Sequence, residues 1–147
     1  MKTVLAFIGA VLLIAASCND KRKATIQPLV ITGPYKLVEP TSQFEVTLVL
    51  TPDSVSSEVT NRVAYKIAGR SSVNQYFGTL TGSSASNEVQ MSAIGATKMA
   101  GPPDAMQFET AYFKKLQAVK RYEVVENRLR LMAEGTDAGV LVFEKEK

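Results

Sequence analysis

The sequence predicts an α+β domain made of about eight mainly antiparallel strands and one helix. Three observations support this fold class. Apolar and polar residues alternate over most of residues 33–145, which is the period of a half-buried strand. Clusters of Gly, Pro, Ser, Asn and Asp separate the alternating segments, as turns do. Residues 104–120 instead carry apolar residues at a spacing of four, which predicts a helix beside the sheet.

The first 17 residues lie outside this domain. After Lys2 comes an uncharged, largely apolar run that ends at Ser17 and is too short to cross a bilayer. Such a run is typical of a cleaved secretory signal peptide, here residues 1–17. Its end, Ala-Ala-Ser before Cys18, resembles a bacterial lipoprotein signal, in which the cysteine becomes the lipidated N-terminus. An ordinary signal peptide that happens to precede a cysteine is the alternative.

Cys18 is the only cysteine in the chain, so it cannot form an internal disulfide. We therefore expect Cys18 to be the lipid-attachment residue, and the N-terminal lipid to hold the protein at a membrane. Residues 18–32 then form a membrane tether. The basic run at residues 21–23 either lies against an anionic membrane surface or is part of a solvated linker.

The composition argues against several kinds of chemistry. The chain has no His, which removes the commonest general base and the commonest neutral metal ligand. Its acids are scattered, so we expect no metal site, no cofactor and no catalytic residue. Ser71 and Ser72 lie near Lys66 in the sequence, but no strand–turn–helix elbow frames them as nucleophiles. No basic stripe alternates with aromatic residues, so we expect no nucleic-acid partner.

Five of the predicted strands precede the helix. They cover residues 35–39, 44–50, 63–69, 76–82 and 88–94. The turn signal at residues 51–54 separates the second strand from the third. Alternation predicts that the inward faces of these strands carry Phe44, Val46, Leu48, Leu50, Val63, Tyr65, Ile67, Val89, Met91 and Ala93.

The helical segment has a predicted start and a predicted core face. Asp104 is the expected N-cap, and Gln107 completes a capping box three residues later. Phe108, Tyr112 and Leu116 then form an apolar stripe of about four turns, which is typical of core packing rather than of a ligand site. Lysines at the C-terminal end suit the helix dipole. Beyond the helix, residues 121–131 predict a β-hairpin and residues 139–145 predict the last strand.

Four stretches of the chain resemble the META domain, a family found in a bacterial heat-shock protein and in many bacterial envelope lipoproteins. GPYKLV at residues 33–38 is similar to the opening strand, which usually has Trp at the position of Tyr35. GRSSVNQYFG at residues 69–78 is similar to the family's G-x-x-G-C-N-x-x-x-G element. ATKMAGPP at residues 96–103, with the helix that follows, is similar to its T-[RK]-M-A-C-P signature. The closing hairpin and last strand extend the resemblance to residue 145.

The resemblance implies a curled, partly barrel-like sheet with the helix on its concave side, in a domain of residues 33–147. It assigns structural roles to the family-motif residues Gly69, Asn74, Gly78, Thr97, Met99 and Pro102. Val73 and Gly101 stand where relatives often have cysteines, which in those relatives are either joined by a disulfide or buried as thiols. This domain therefore has no thiol chemistry of its own.

The resemblance also implies a function. It favours a non-catalytic envelope lipoprotein, anchored in the outer membrane and facing the periplasm, with a stress-related or protein-interaction role and an envelope partner that the sequence does not identify. The alternative is a small carrier that binds an apolar ligand or lipid in a pocket between sheet and helix. A large apolar cavity would favour the carrier. A filled interior with an exposed apolar patch would favour protein interaction.

Overall fold

The described part of the chain forms nine strands and one α-helix. The computed structural model describes residues 31–53 and 61–147, so the predicted signal peptide and all but the end of the tether lie outside it. Before the helix come β1 (Gly33–Glu39), β2 (Thr47–Pro52), β3 (Arg62–Arg70), β4 (Gln75–Ser83), β5 (Val89–Met91) and β6 (Gly95–Ala96). Then follow α1 (Pro103–Gln117), β7 (Val119–Val125), β8 (Arg128–Ala133), a short 3-10 helix (Gly135–Asp137) and β9 (Gly139–Lys145). The predicted α+β class is confirmed.

The sheet is antiparallel throughout and curls until its two edges approach each other. The strand order is β5-β4-β3-β2-β1-β9-β8-β7, and β6 pairs with the same strand, β4, as β5 does. The edges meet at an isolated bridge between Glu88 and Arg121, beside which the Tyr122 N–H donates to the Asn87 carbonyl at 3.0 Å. We call this meeting line the seam. The nearly closed barrel agrees with the curled sheet that the sequence predicts.

Alternation along the strands fills the barrel with side chains, as expected for a barrel of about eight strands. Most of the predicted inward residues are buried, namely Val46, Leu48, Leu50, Tyr65, Ile67, Val89 and Met91. The closing strands add Leu129, Leu131, Leu141 and Phe143. The other three predicted inward residues are less buried than expected: Phe44 and Val63 are only partly buried, and Ala93 is exposed.

Two predicted strands are shorter in the structure than in the prediction. The second begins at Thr47 rather than at residue 44. The fifth ends at Met91 because the hydroxyl of Ser92, rather than a backbone carbonyl, accepts the Thr79 N–H at 2.8 Å. The regular ladder stops there and resumes at Gly95 as β6, which the sequence prediction missed.

The start of α1 also corrects the prediction. The N-cap is Pro102, Pro103 is the first helical residue, and no side chain caps the helix, so the predicted capping box of Asp104 and Gln107 is wrong. Proline suits this position because its φ is already helical and its missing N–H would have no partner there. Asp104 instead accepts a hydrogen bond from Gln43 at 3.2 Å. Neither described helix has the length and apolarity of a membrane span.

Candidate functional site

Three of the predicted motif residues meet at one end of the barrel, around a carboxylate that the sequence analysis did not single out. Asn74 lies in the turn between β3 and β4, and Thr97 and Met99 follow β6. Glu109 reaches this cluster from α1. An apolar stripe does not include Glu109, because its side chain is charged. Its position is nevertheless that of a core residue, since the buried helix positions 105, 109, 112 and 116 have the spacing of one face.

Glu109 is 5 % exposed and accepts hydrogen bonds from four donors. Its Oε2 accepts from the Ser71 hydroxyl at 2.5 Å, from the Asn74 N–H at 2.8 Å and from the Val73 N–H at 3.4 Å. Its Oε1 accepts from the Asn74 side-chain amide at 2.6 Å. All four donors come from the β3–β4 turn, so one helical carboxylate organises that turn.

The surroundings of Glu109 favour its charged form. Burial raises the pKa, but hydrogen bonds from Ser71, Asn74 and Val73 outweigh burial and bring the pKa below its ordinary value of 4.5. A buried carboxylate is tolerable when several donors form hydrogen bonds to it. Glu109 is therefore a charged structural anchor at neutral pH and a weak base.

Asn74 extends the network to the segment between β6 and α1. Its Oδ1 accepts from the Thr97 hydroxyl at 2.8 Å and from the Met99 N–H at 2.7 Å. Its amide nitrogen donates to Glu109 and, at 3.3 Å, to the Met99 carbonyl. Asparagine offers two acceptor and two donor positions, and all four are used here. Asn74 thus ties the β3–β4 turn, the signature segment and the helix together.

Gly69 makes a second polar contact possible beside this network. A Cβ at Gly69 would overlap the Thr47 carbonyl oxygen, so only glycine fits between β2 and the Tyr76 side chain. The Tyr76 hydroxyl donates to that carbonyl at 2.8 Å and lies 2.7 Å from the Tyr112 hydroxyl, which therefore acts as donor to it. Burial raises the pKa of both tyrosines above 10.0.

Val73 and Gly101, the two positions where relatives often have cysteines, are in direct contact. A Cβ built at Gly101 would lie 2.6 Å from Cγ2 of Val73 and 3.4 Å from its Cβ. The valine side chain therefore occupies the space that a side chain at residue 101 would need. The branched side chain at residue 73 therefore requires a glycine at residue 101.

The other predicted site residues lie around the network or outside it. Gly78 pairs with Ile67, and a Cβ there would lie 3.1 Å from the Ser92 hydroxyl. The Pro102 carbonyl accepts the Met106 N–H at 3.0 Å in the first turn of α1. The side chain of Met99 is 54 % exposed although its backbone is held by Asn74. Cys18 lies outside the described residues.

The geometry does not assemble a nucleophile from the serines of the motif. Ser71 has no exposed surface, and its hydroxyl is donated to Glu109. The Ser72 hydroxyl donates to the Ala105 carbonyl at 2.7 Å. Lys66 pairs with Asp53 at 3.8 Å on the outside of the sheet. In residues 31–53 and 61–147, no three His, Cys, Asp or Glu side chains are grouped as metal ligands.

Two clefts lie on the surface of the described domain, and most of the residues that line them are polar or charged. A cleft of about 660 Å³ at the seam is lined by Arg62, Glu88, Lys120, Arg121 and Glu134 among others. A cleft of about 420 Å³ near the helix is lined by Gln43, Phe44, Glu45, Thr47, Arg70 and Ser72. Neither cleft has the apolar lining that an apolar-ligand carrier requires.

The fold and the network define a small antiparallel barrel domain whose single described α-helix is held in place by a buried carboxylate. The META domain model matches residues 33–147, and the chain belongs to the META domain family. A solved NMR structure of a protein from Burkholderia xenovorans is similar, with a TM-score of 0.50 and 20% identity over 78% of this chain and 79% of that chain. This likeness concerns the fold. No curated protein matches the sequence.

Proposed function

We propose that the protein is a non-catalytic lipoprotein of the bacterial envelope, anchored by a lipid on Cys18 and facing the periplasm from the outer membrane. Residues 18–32 serve as the tether that presents the META domain. The domain acts by binding, in a stress-related or protein-interaction role, and its partner is a component of the envelope.

One observation carries the non-catalytic part of this proposal. The polar groups of this network face inward and form hydrogen bonds with one another. Glu109 accepts from four donors, one of which is the Ser71 hydroxyl, and the side chain of Asn74 forms four hydrogen bonds. A catalytic base or nucleophile needs contact with substrate and a pKa suited to proton transfer. A buried carboxylate of low pKa has neither, so the motif is better suited to stabilising the fold than to chemistry.

The distribution of apolar surface supports a binding role. The interior is filled, whereas Phe77 is 61 % exposed and Met99 is 54 % exposed on the outside. Large exposed apolar side chains of this kind are typical of interaction surfaces when they form a patch.

The anchor is tested by replacing Cys18 with Ala and fractionating the cells. We expect the wild-type protein in the membrane fraction and the Cys18→Ala variant in the soluble fraction or in an unprocessed form. Thr25→Ala, a change within the tether, is the matched control and should leave the distribution unchanged. Retention of Cys18→Ala in the membrane fraction at the wild-type level would show that the lipoprotein assignment is wrong.

A further inference from the structure

The cleft of about 420 Å³ near the helix lies beside the family motif and takes its lining from two segments of the chain. Arg70 and Ser72 lie at the end of β3 and in the β3–β4 turn, on either side of Ser71. The Ser71 hydroxyl is donated to Glu109, so the buried network holds this segment in place. The other lining residues lie between β1 and β2 or at the start of β2, namely Gln43, Phe44, Glu45 and Thr47.

Hydrogen bonds attach both segments to the first turn of α1. The Ser72 hydroxyl donates to the Ala105 carbonyl at 2.7 Å. The Gln43 side-chain amide donates to the Asp104 carboxylate at 3.2 Å. The helix therefore holds the two sides of the cleft in one arrangement before any ligand binds.

Phe44 supplies the apolar part of the cleft. Its ring centroid lies 5.1 Å from that of Phe108, and the Phe108 ring lies parallel to that of Tyr112 at 6.5 Å. Phe44 is only partly buried by these contacts, so part of its ring remains accessible from the cleft. An aromatic surface is thus fixed at the edge of a lining that is otherwise polar or charged.

Arg70 supplies the positive charge of the cleft. Its backbone is fixed across two strands, because its N–H donates to the Thr47 hydroxyl at 3.0 Å. No carboxylate of the described residues lies within ion-pair distance of its guanidinium group. Lys66 on the same strand differs, since Asp53 lies 3.8 Å from it. Arg70 can therefore pair with an anion that enters the cleft.

The acids near the cleft are already balanced. Glu45 lines the cleft, but its carboxylate lies 3.0 Å from the Lys36 ammonium group. Asp104 lies outside the lining, where it accepts the hydrogen bond from Gln43. It belongs to the first turn of α1, where the helix dipole favours a negative charge. The charge that is left without a partner in the cleft is that of Arg70, and the cleft favours an anion.

We propose that this cleft binds a carboxylate group that has an apolar group next to it. Such a ligand is either the C-terminus of a peptide with an apolar last residue or a small free carboxylic acid. The planar guanidinium group of Arg70 matches a carboxylate through two parallel hydrogen bonds, and Phe44 contacts the apolar neighbour. A volume of about 420 Å³ lies at the lower end of the range of ligand pockets, which suits a ligand of this size.

A phosphate group fits the same lining less well. A phosphate monoester carries about two negative charges at neutral pH, and Arg70 offers a single positive one. The second charge of the phosphate would face the Glu45 carboxylate on the same cleft. A carboxylate carries one charge, which Arg70 balances.

The inference deepens the proposed binding role, on which it rests, by giving that role a site and a class of ligand. Nuclear magnetic resonance titration tests it on the isotope-labelled mature protein, extracted from envelopes into detergent micelles. The probes are N-acetyl-Ala-Phe, the same dipeptide with a C-terminal amide, phenylpropionate and inorganic phosphate. We expect N-acetyl-Ala-Phe to shift the signals of the Arg70 guanidinium group and of the Phe44 ring. It should bind about tenfold more tightly than the amide, which cannot form the charged hydrogen bonds.

Matched variants assign the two parts of the ligand to their residues. Arg70→Gln should bind the dipeptide acid and its amide equally, because the charge that distinguishes them is gone. Phe44→Leu should weaken both several-fold and keep the tenfold difference. Arg62→Gln removes an exposed arginine from the other cleft and should change neither affinity. Unshifted N–H signals of Val73 and Asn74 show that each variant keeps the network around Glu109.

The remaining probes identify the source of the carboxylate. Tighter binding of N-acetyl-Ala-Phe than of phenylpropionate indicates a peptide C-terminus, whereas equal binding indicates a small free acid. Equal binding of the dipeptide acid and its amide by the wild-type protein would overturn the inference. So would a tenfold difference that persists in Arg70→Gln, or tighter binding of phosphate than of either carboxylate.

A second measurement separates this inference from the binding role itself. A photo-cross-linking residue in place of Phe77 reports contact with an envelope partner at the exposed apolar surface. If no carboxylate probe binds but the cross-link forms in native envelopes, the binding role stands and the inference alone is overturned. If no probe binds and no cross-link forms, both fail.

Discussion

A single carboxylate, Glu109, links the helix to the turn between β3 and β4. Removing a charge from water is costly, and the four donors around this side chain offset that cost. Asn74 passes the connection on to the signature segment through Thr97 and Met99. The residues of the family motif therefore connect the turn, the signature segment and the helix through buried hydrogen bonds.

Glu109→Gln should destabilise the domain although it preserves the shape of the side chain. The new amide group would face either the Asn74 amide or the donors on Oε2, and Asn74 is unable to turn over because its Oδ1 already holds Thr97 and Met99. Two buried donors would then face each other without an acceptor. A buried donor without a partner costs about 1–3 kcal/mol, so we expect the free energy of unfolding at neutral pH to fall by about that amount. Urea denaturation followed by circular dichroism measures this change.

Glu123→Gln is the control for Glu109→Gln. Glu123 is half-exposed and pairs with Arg130 on the surface, where an ion pair contributes about 0–1 kcal/mol. Equal losses for the two variants, or no loss for Glu109→Gln, would show that the buried network does not stabilise the fold.

The residues of this network differ in how far the sequence reveals them. Asn74, Thr97 and Met99 could be found through the resemblance to the META family. Glu109 could not be found in that way, because a charged residue on a helix is usually solvent-exposed. In the sequence, only the position of Glu109 on the core face of α1 indicates that it is buried. To predict its role, one must also know which hydrogen-bond donors face the helix. The donors come from a turn 35 residues away in sequence.

At the scale of elements, alternation predicted every long strand, because one face of each is buried and the other is wet. It placed the end of β5 too late and missed β6, because a side-chain hydroxyl of Ser92 replaces a ladder partner between them. The capping pattern misplaced the helix start, because it made Asp104 the N-cap where the structure has Pro102. Local hydrogen bonding decides such boundaries, whereas periodicity decides the type of element. The helix dipole prediction agrees with Lys114 and Lys115 in the last turn.

The contact between Val73 and Gly101 allows the two motif elements to be cross-linked. The Cβ positions lie 3.4 Å apart, close to the range that a disulfide needs. In a Cys18→Ser background, Val73→Cys combined with Gly101→Cys should form a disulfide. Closing a loop of this length stabilises a protein by about 3–4 kcal/mol. Thiol titration and thermal unfolding, each with and without reductant, measure both effects.

The single variants are the controls for the cross-link. Gly101→Cys alone should destabilise the domain because its side chain meets Cγ2 of Val73, whereas Val73→Cys alone leaves that space open. If the double variant keeps two free thiols under oxidising conditions, the two elements do not adjoin as described.

At the scale of the whole molecule, the tyrosines make stability depend on pH at the alkaline end. All five tyrosines of the chain have a pKa raised above 10.0, and burial is the main cause for each: Tyr35, Tyr65, Tyr76, Tyr112 and Tyr122. The folded state keeps these hydroxyls protonated where the unfolded chain would lose the protons. Their contribution is complete below pH 10.0 and is lost as the pH rises through the folded values.

Glu109 gives the opposite dependence at the acid end. Its pKa is below 4.5 in the folded state, so its contribution to stability is present above pH 4.5 and is lost as the pH falls through the folded value. We expect the free energy of unfolding to fall at both extremes of pH. Glu109→Gln should reduce the acid dependence, and Tyr112→Phe should reduce the alkaline one. Denaturation curves across pH that keep the wild-type slopes in these variants would contradict the assignment.

We propose that the META domain, stabilised by the network around Glu109, is held at a membrane by a lipid on Cys18. The intact mass of the protein extracted from envelopes tests this claim most directly. We predict a chain that begins at Cys18 and carries the added mass of acyl chains on that residue. A chain that begins elsewhere, or a Cys18 with an unmodified thiol, would contradict it.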